Sequence, residues 1–324
     1  MTRSPAPAES DGQPPLRLTV APDRAGQRLD NWLFTQLKGV PKSLVYRLLR
    51  EGRIRIDGSR AKPERKLDGG ESVYVPPIRR ATPGTPPAPR PEGLDWLAGR
   101  IAHEDAALLV LDKPAGLAAH GGSGISLGAI EALRAWRQQP GLELVHRLDR
   151  DTSGLLMVAK TRAALRELQT LIRDGQLDKR YYAVMAGQTA RQRFDVQAPL
   201  ETHERRGGER VVRVSSAGKP ALTGFRVLER YAEATLVEAT LHTGRTHQIR
   251  VHARHVGHPL VGDDKYGDPA VNAALAARGL DRLCLHAALL RFRLDGKTYS
   301  LNSPLPTELR SGLERLTRPD RGSV

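Results

Sequence analysis

The sequence predicts an α+β protein in two folded parts, and three observations carry that expectation. Between residues 100 and 305, many short apolar or alternating runs read as strands, with only a few stretches of helical period among them. The segment ATPGTPPAPRPEG, residues 81–93, has five prolines in thirteen positions. Proline neither continues a helix nor donates to a strand ladder, so this reads as an extended linker. Charge density also changes across it. Residues 17–80 hold 15 Lys and Arg against 7 Asp and Glu, whereas residues 81–324 hold 35 against 27. The expected organisation is a polar, disordered tail at 1–16, a small basic domain at 17–80, the linker at 81–93, a larger domain at 94–310 and a C-terminal tail at 311–324.

In the small domain, Leu29, Trp32, Leu33 and Leu37 fall on one helical face. A second helix begins near Pro41, where proline is tolerated, and carries Leu44, Val45, Leu48 and Leu49 as its apolar stripe. Gly52 is placed to stop it. Ile54 and Ile56 alternate before Asp57-Gly58, a tight-turn pair, and ESVYVPP closes the unit with a short strand.

The larger domain opens with ALLVLDKP, a buried-strand candidate, and LLMVAK is a second apolar run. Thr161 is placed to cap a helix whose face holds Leu165, Leu168 and Ile172, and Gly175 to end it. RYYAVMAG, ALTGFRVLER, ATLVEATL and RLCLHAALLRFRL read as strands, with Asp295-Gly296 as a hairpin turn near the end. Thr246 is the expected N-cap of a helix through HQIRVHARHV, ended by Gly257.

Composition excludes several classes. The single cysteine, Cys284, rules out a disulfide scaffold or a multi-cysteine metal site, and reads as a core residue in a reducing compartment. No apolar run approaches the roughly 20 residues of a membrane helix, and MTRSPAPAESDGQPP has no apolar core for a secretory signal. A cytoplasmic, bacterial-type protein is expected. The net charge of +15, carried by 41 Arg and 10 Lys, admits a polyanion partner.

The chemistry concentrates in HRLDRDTSGLL, residues 146–156, where a histidine, two arginines and two aspartates precede an apolar run. Read alone, this has two accounts. Asp149 or Asp151 pairs structurally with Arg147 or Arg150 while Gly154 permits a turn, or a carboxylate held between cations stays ionised as nucleophile or base. A cluster of His247, His252, His255 and His258 suggests a metal, but cysteine partners are missing and surface or RNA-facing histidines are expected instead. GGSG at 121–124 reads as a turn rather than a phosphate loop.

Resemblance decides between the two accounts. RLDNWL, KSLVYRLLREGRIRIDG and KLDGGESVYVPP, spanning residues 28–77, resemble the S4 RNA-binding domain. VLDKPAGL, HRLDRDTSG, KRYYAVMAG, LHTGRTHQIRVHARHVGHPLVGDDKYG and RLCLHA, in that order, resemble the RluA-type pseudouridine synthases. The resemblance implies a small S4 domain of αL type. It also implies a catalytic domain built on a mixed, mainly antiparallel sheet with flanking helices. In the S4 part it implies Lys42, Arg47, Arg50, Arg53 and Arg55 as RNA contacts. In the catalytic part it implies Asp149 as the essential aspartate, Tyr181 as the tyrosine that stacks on the uracil, and Arg245 as the cation paired with Asp149. Tyr182 is then a neighbour facing the other side of its strand. The implied reaction isomerises uridine without cofactor or metal. The implied partner is structured RNA, large-subunit ribosomal RNA in particular, free or in a ribosome precursor, acted on by a monomer away from any membrane. The alternatives are a noncatalytic S4-type ribosome-assembly factor and a related synthase for other rRNA or tRNA uridines.

Overall fold

A computed structural model of the chain describes residues 14–37, 40–78, 93–121, 127–204 and 210–318. Residues 1–13 of the expected tail at 1–16, nearly all of the proline-rich linker, and residues 122–124 of GGSG lie outside these residues. The chain divides into two compact units, Met1–Ala88 and Pro89–Val324.

The first unit opens with strand β1 (Leu16–Thr19), followed by helices α1 (Leu29–Gln36) and α2 (Lys42–Arg50) and strands β2 (Arg55–Ile56), β3 (Ser59–Arg60) and β4 (Ser72–Val75). The strands form a four-stranded sheet in the order β1-β4-β2-β3. Leu16 pairs with Val75, so the strand begins one residue inside the expected tail. The helical periods converge as anticipated: Leu29, Trp32, Leu33, Val45, Leu48 and Leu49 pack with Ile54, Ile56, Val73 and Val75 into the unit's own core. Asp57 and Gly58 both adopt positive φ in the turn between β2 and β3.

The second unit is organised around a ten-stranded sheet. Its elements, in chain order, are β5 (Ile101–Glu104), β6 (Leu108–Lys113), α3 (Ala129–Arg137), β7 (Glu143–Leu144), β8 (Ser153–Ala159), α4 (Arg162–Arg173), β9 (Asp178–Ala186), β10 (Arg193–Gln197), β11 (Leu200–Glu204), β12 (Arg210–Val214), β13 (Leu222–Arg230), β14 (Ala234–Leu241), α5 (Gln248–His255), α6 (Pro269–Ala276), β15 (Leu285–Leu294), β16 (Lys297–Asn302) and α7 (Thr307–Glu314). The main path runs β10-β13-β14-β9-β15-β8-β6-β5, with β16 beside β15 and β7 beside β8. Pairing is antiparallel except between β15 and β8. The sheet is therefore mixed and mainly antiparallel.

Strand alternation sends successive residues to opposite faces. Leu109, Leu111, Leu156, Val158, Tyr181 and Ala183 pack on one face with Ala129, Leu133, Ile249 and Ala253 from α3 and α5. Leu108, Val110, Leu155 and Met157 pack on the other with Leu165 and Leu168 of α4. Strand β8 is buried along its whole length, which explains its unbroken apolar spelling. Farther along that second face, Val184 and Leu236 meet Leu275, Leu309, Leu313 and Leu316. The expected boundary at residue 310 is thus corrected: α7 continues to Glu314 because Leu313 and Leu316 are core residues.

Candidate active site

The HRLDRDTSG segment forms the turn that enters β8. Thr152 N–H donates to the Asp149 carbonyl (3.2 Å) and closes the turn. At its start, His146 Nε2 accepts from Met157 N–H (3.2 Å). Gly154 has φ +103°, and a Cβ there would lie 2.3 Å from the Ala287 carbonyl oxygen. Only glycine lets β8 approach β15 this closely. Beneath the turn, the fully buried Lys113 donates from Nζ to the carbonyls of Pro114 (3.0 Å), Leu117 (2.7 Å) and Arg150 (2.9 Å). Burial lowers its pKa to about 8, against the opposing pull of Asp151 and Asp149. Lys113 thus ties two loops together, which its place in VLDKP hinted at only as a charge at a strand's end.

Asp149 and Asp151 part company here. Asp151 pairs with Arg150 at the exposed surface (3.0 Å). Asp149 instead lines a cavity of about 570 Å³ together with Arg147, Lys179, Tyr181, Arg245, His247 and Arg250. Its Oδ2 accepts from Arg250 Nη1 at 3.1 Å. The other edge of the same guanidinium forks onto Asp263, Nε to Oδ2 and Nη2 to Oδ1, both at 2.7 Å. Backbone N–H groups of Lys265 and Tyr266 complete the shell of Asp263. Burial opposes the charge on Arg250, but the hydrogen bonds and charge of Asp263, with Asp149 behind them, outweigh it and raise its pKa. Asp263 is likewise lowered despite burial, chiefly by the Arg250 hydrogen bonds.

The expected pairing of Arg245 with Asp149 is therefore corrected: the carboxylate's partner is Arg250. GRTHQIR contains both arginines, and they have different surroundings. Arg245 precedes α5, is exposed, and its Nε donates to the Pro220 carbonyl (3.1 Å) at the cavity rim. Arg250 lies within α5 between the buried Ile249 and Val251 and is itself 6% exposed. A charged residue in so apolar a stretch signals a buried partner. The expected cap is also different. His247, with φ +54°, is the N-cap, and the Gln248 side chain accepts from Arg245 N–H (3.0 Å) and from the Thr243 hydroxyl (2.7 Å).

Tyr181 lies on β9, 7% exposed, with its ring against the core on the cavity side. Burial, reinforced by the Asp149 charge, raises its pKa, so the hydroxyl stays protonated. Tyr182 faces the opposite side, packing against the cluster around Val184 and Tyr231. The histidines do not form a cluster. His252 is fully buried between Thr223 and the Ala198 carbonyl, His258 donates to the Ala186 carbonyl, and His255 is exposed. Only His247 reaches the cavity, which sequence reasoning missed within the group of four. Among the described residues no set of His, Cys, Asp and Glu is arranged to hold a metal ion. Cys284 is buried in the core, and burial pushes its thiol up to about 12.

In the first unit, Arg47, Arg50, Arg53 and Arg55 are all exposed, spread over α2, the turn behind it and the start of β2. The Lys42 side chain lies outside the described residues. Among the described residues, no helix is long and apolar enough to cross a membrane.

Comparison with known proteins agrees with this arrangement. Residues 107–255 match the RNA pseudouridylate synthase family and residues 27–73 match the S4 domain. Ribosomal large subunit pseudouridine synthase C of Pasteurella multocida (strain Pm70) is 50% identical over 303 residues, covering 92% of this chain and 93% of that protein. The protein of the same name from Escherichia coli (strain K12) is 49% identical over 305 residues, covering 92% and 96%. Among solved structures, human RNA pseudouridylate synthase domain containing 4 superposes with a TM-score of 0.58 at 27% identity, covering 70% of this chain and 97% of that one. Identity of 49–50% over 92% of the chain shows that it belongs to the RNA pseudouridylate synthase family, with an S4 domain preceding its synthase domain.

Proposed function

We propose that this chain isomerises uridines of large-subunit ribosomal RNA to pseudouridine in the cytoplasm, with Asp149 as the reacting carboxylate. The observation that carries the reading is the Asp149–Arg250–Asp263 chain at the cavity. It presents one carboxylate to the cavity and buries the other as its support.

The reaction breaks the C1′–N1 bond, turns the uracil and forms a C1′–C5 bond, while the C5 proton leaves and N1 gains one. Atoms and electrons balance within the nucleotide, so no oxidant or cosubstrate is required. Asp149 either attacks C1′ or removes a neighbouring ribose proton. Arg250 holds it in place through a charge-assisted hydrogen bond to Oδ2. Tyr181, a neutral phenol, stacks on the uracil and offers a donor rather than a base. A uridine stacked in RNA must first be flipped out, at a cost of a few kcal/mol. Arg245 at the rim, and Arg47, Arg50, Arg53 and Arg55 on the S4 unit, bind the RNA backbone.

The test is release of tritium from [5-³H]uridine in a large-subunit rRNA transcript. The wild-type protein releases it, and Asp149→Ala abolishes release while binding the transcript as before. Turnover by that variant would remove Asp149 from the mechanism. No release by the wild-type protein from any large-subunit RNA, together with unchanged pseudouridine maps in a deletion strain, would remove the target.

A further inference from the structure

Resting on the Asp149 reading, one more residue of the cavity acquires a role. Among the described residues, the hydrogen bond to the Asp149 carboxylate falls on one oxygen. Arg250 Nη1 lies 3.1 Å from Oδ2, and His247 Nε2 lies 3.8 Å from the same atom. Oδ1 accepts no hydrogen bond among the described residues.

The other side of His247 is tied down. Its Nδ1 lies 2.7 Å from the hydroxyl of Tyr266, which is 3% exposed and also accepts Val212 N–H at 2.9 Å. The phenolic oxygen has one proton to donate. With Val212 occupying it as an acceptor, that proton has Nδ1 as its remaining partner. Nδ1 is then the acceptor, and the neutral ring carries its proton on Nε2, the nitrogen turned toward Asp149. Burial lowers the imidazole pKa, opposed by the Asp149 charge and reinforced by Arg250 and Lys265, so the ring is neutral near pH 7. The backbone is also unusual: His247 has φ +54°, a conformation that a non-glycine residue keeps when the surroundings impose it. The 3.8 Å separation shortens to a hydrogen bond with a movement of about 1 Å, as happens in many sites when substrate closes them.

We propose that His247 is a positioning residue: with its tautomer set by the Tyr266 hydroxyl, it joins Arg250 in restraining Oδ2 of Asp149 and so leaves Oδ1 as the oxygen that meets the ribose. Strand β12 takes part through Val212, so its seating on Tyr266 reaches His247 through two hydrogen bonds.

Three variants in the full chain test this. His247→Asn keeps an acceptor near Tyr266 and tolerates positive φ but lacks the Nε2 donor. His247→Gln restores a donor with longer reach. Tyr266→Phe removes only the hydroxyl. With the tritiated transcript, His247→Asn and Tyr266→Phe each lower kcat about tenfold or more, the size of one hydrogen bond to a charged group, while KM for RNA stays within about twofold. His247→Gln recovers part of the loss. Imidazole ¹⁵N shifts report an Nε2–H tautomer in the wild-type protein and a mixture in Tyr266→Phe. Wild-type kcat in His247→Asn, a loss confined to KM, or an Nδ1–H tautomer overturns the inference. If His247→Asn does not fold, Tyr266→Phe and the tautomer decide. Asp149→Ala run in parallel separates the two claims: its inactivity beside a fully active His247→Asn sinks the His247 role alone, and its activity sinks the reading beneath it.

Discussion

At the scale of single residues, the two arginines of GRTHQIR make opposite predictions. Arg250 holds two carboxylates, one of which, Asp263, is wholly buried. Arg250→Ala strands that charge and should cost about 3 to 5 kcal/mol of stability, visible as a lowered denaturation midpoint, and abolish tritium release. Arg250→Lys keeps the charge but loses the planar fork and cannot face both aspartates. It should fold with reduced stability and lose most activity. Arg245→Ala leaves the Asp149 contact intact and should raise KM for RNA with kcat little changed. A fall in kcat without weaker binding in that variant would return Arg245 to the reacting group. The motifs single out Asp149 over Asp151 and Tyr181 over Tyr182, and Asp149 and Tyr181 are the members of each pair that line the cavity. The pairing was not legible, because motif spelling does not say which of two cations turns inward. That depends on α5 beginning after Arg245, and the helix start depends in turn on Gln248 and the left-handed His247 rather than on Thr246. Of the four histidines close in sequence, only burial and hydrogen bonding distinguish the structural His252 from the cavity-facing His247.

At the scale of elements, long apolar strands and amphipathic helices were readable, since their periods match their burial. The α4 cap on Thr161 is an instance, its hydroxyl accepting Ala164 N–H at 3.1 Å. The hairpin of β11 and β12 was not foreseen. LETHE and RVVRV are short and charged, and their apolar side packs with Ala221, Val251 and Tyr266, which lie outside the two strands. The turn into β8 carries its own pH dependence. Burial, with help from the Lys179 charge, lowers His146 to about 4, and its neutral Nε2 accepts Met157 N–H. The unfolded chain binds the proton near pH 6.5 and the folded chain only near 4. Its contribution is therefore complete above about pH 6.5 and diminishes as pH falls from there to about 4, by up to about 3 kcal/mol. His146→Gln, which keeps an acceptor without titrating, should flatten stability over that window in denaturant titrations. An unchanged pH dependence would show that the proton goes elsewhere.

At the scale of the whole molecule, the division at the proline-rich segment was plain in composition, and each unit builds a core from its own residues. Replacing Arg47, Arg50, Arg53 and Arg55 together by alanine should weaken rRNA binding and reduce the slope of log K against log salt. The expected change is about 0.7 to 0.9 for each phosphate that is no longer neutralised, with kcat at saturating RNA unchanged. An unaltered slope would take RNA anchorage away from that surface. The internal closure of each core has a consequence for descent. The residues that close the core around α2 are distinct from those that close the core around the cavity, so each unit's packing can be inherited and varied on its own.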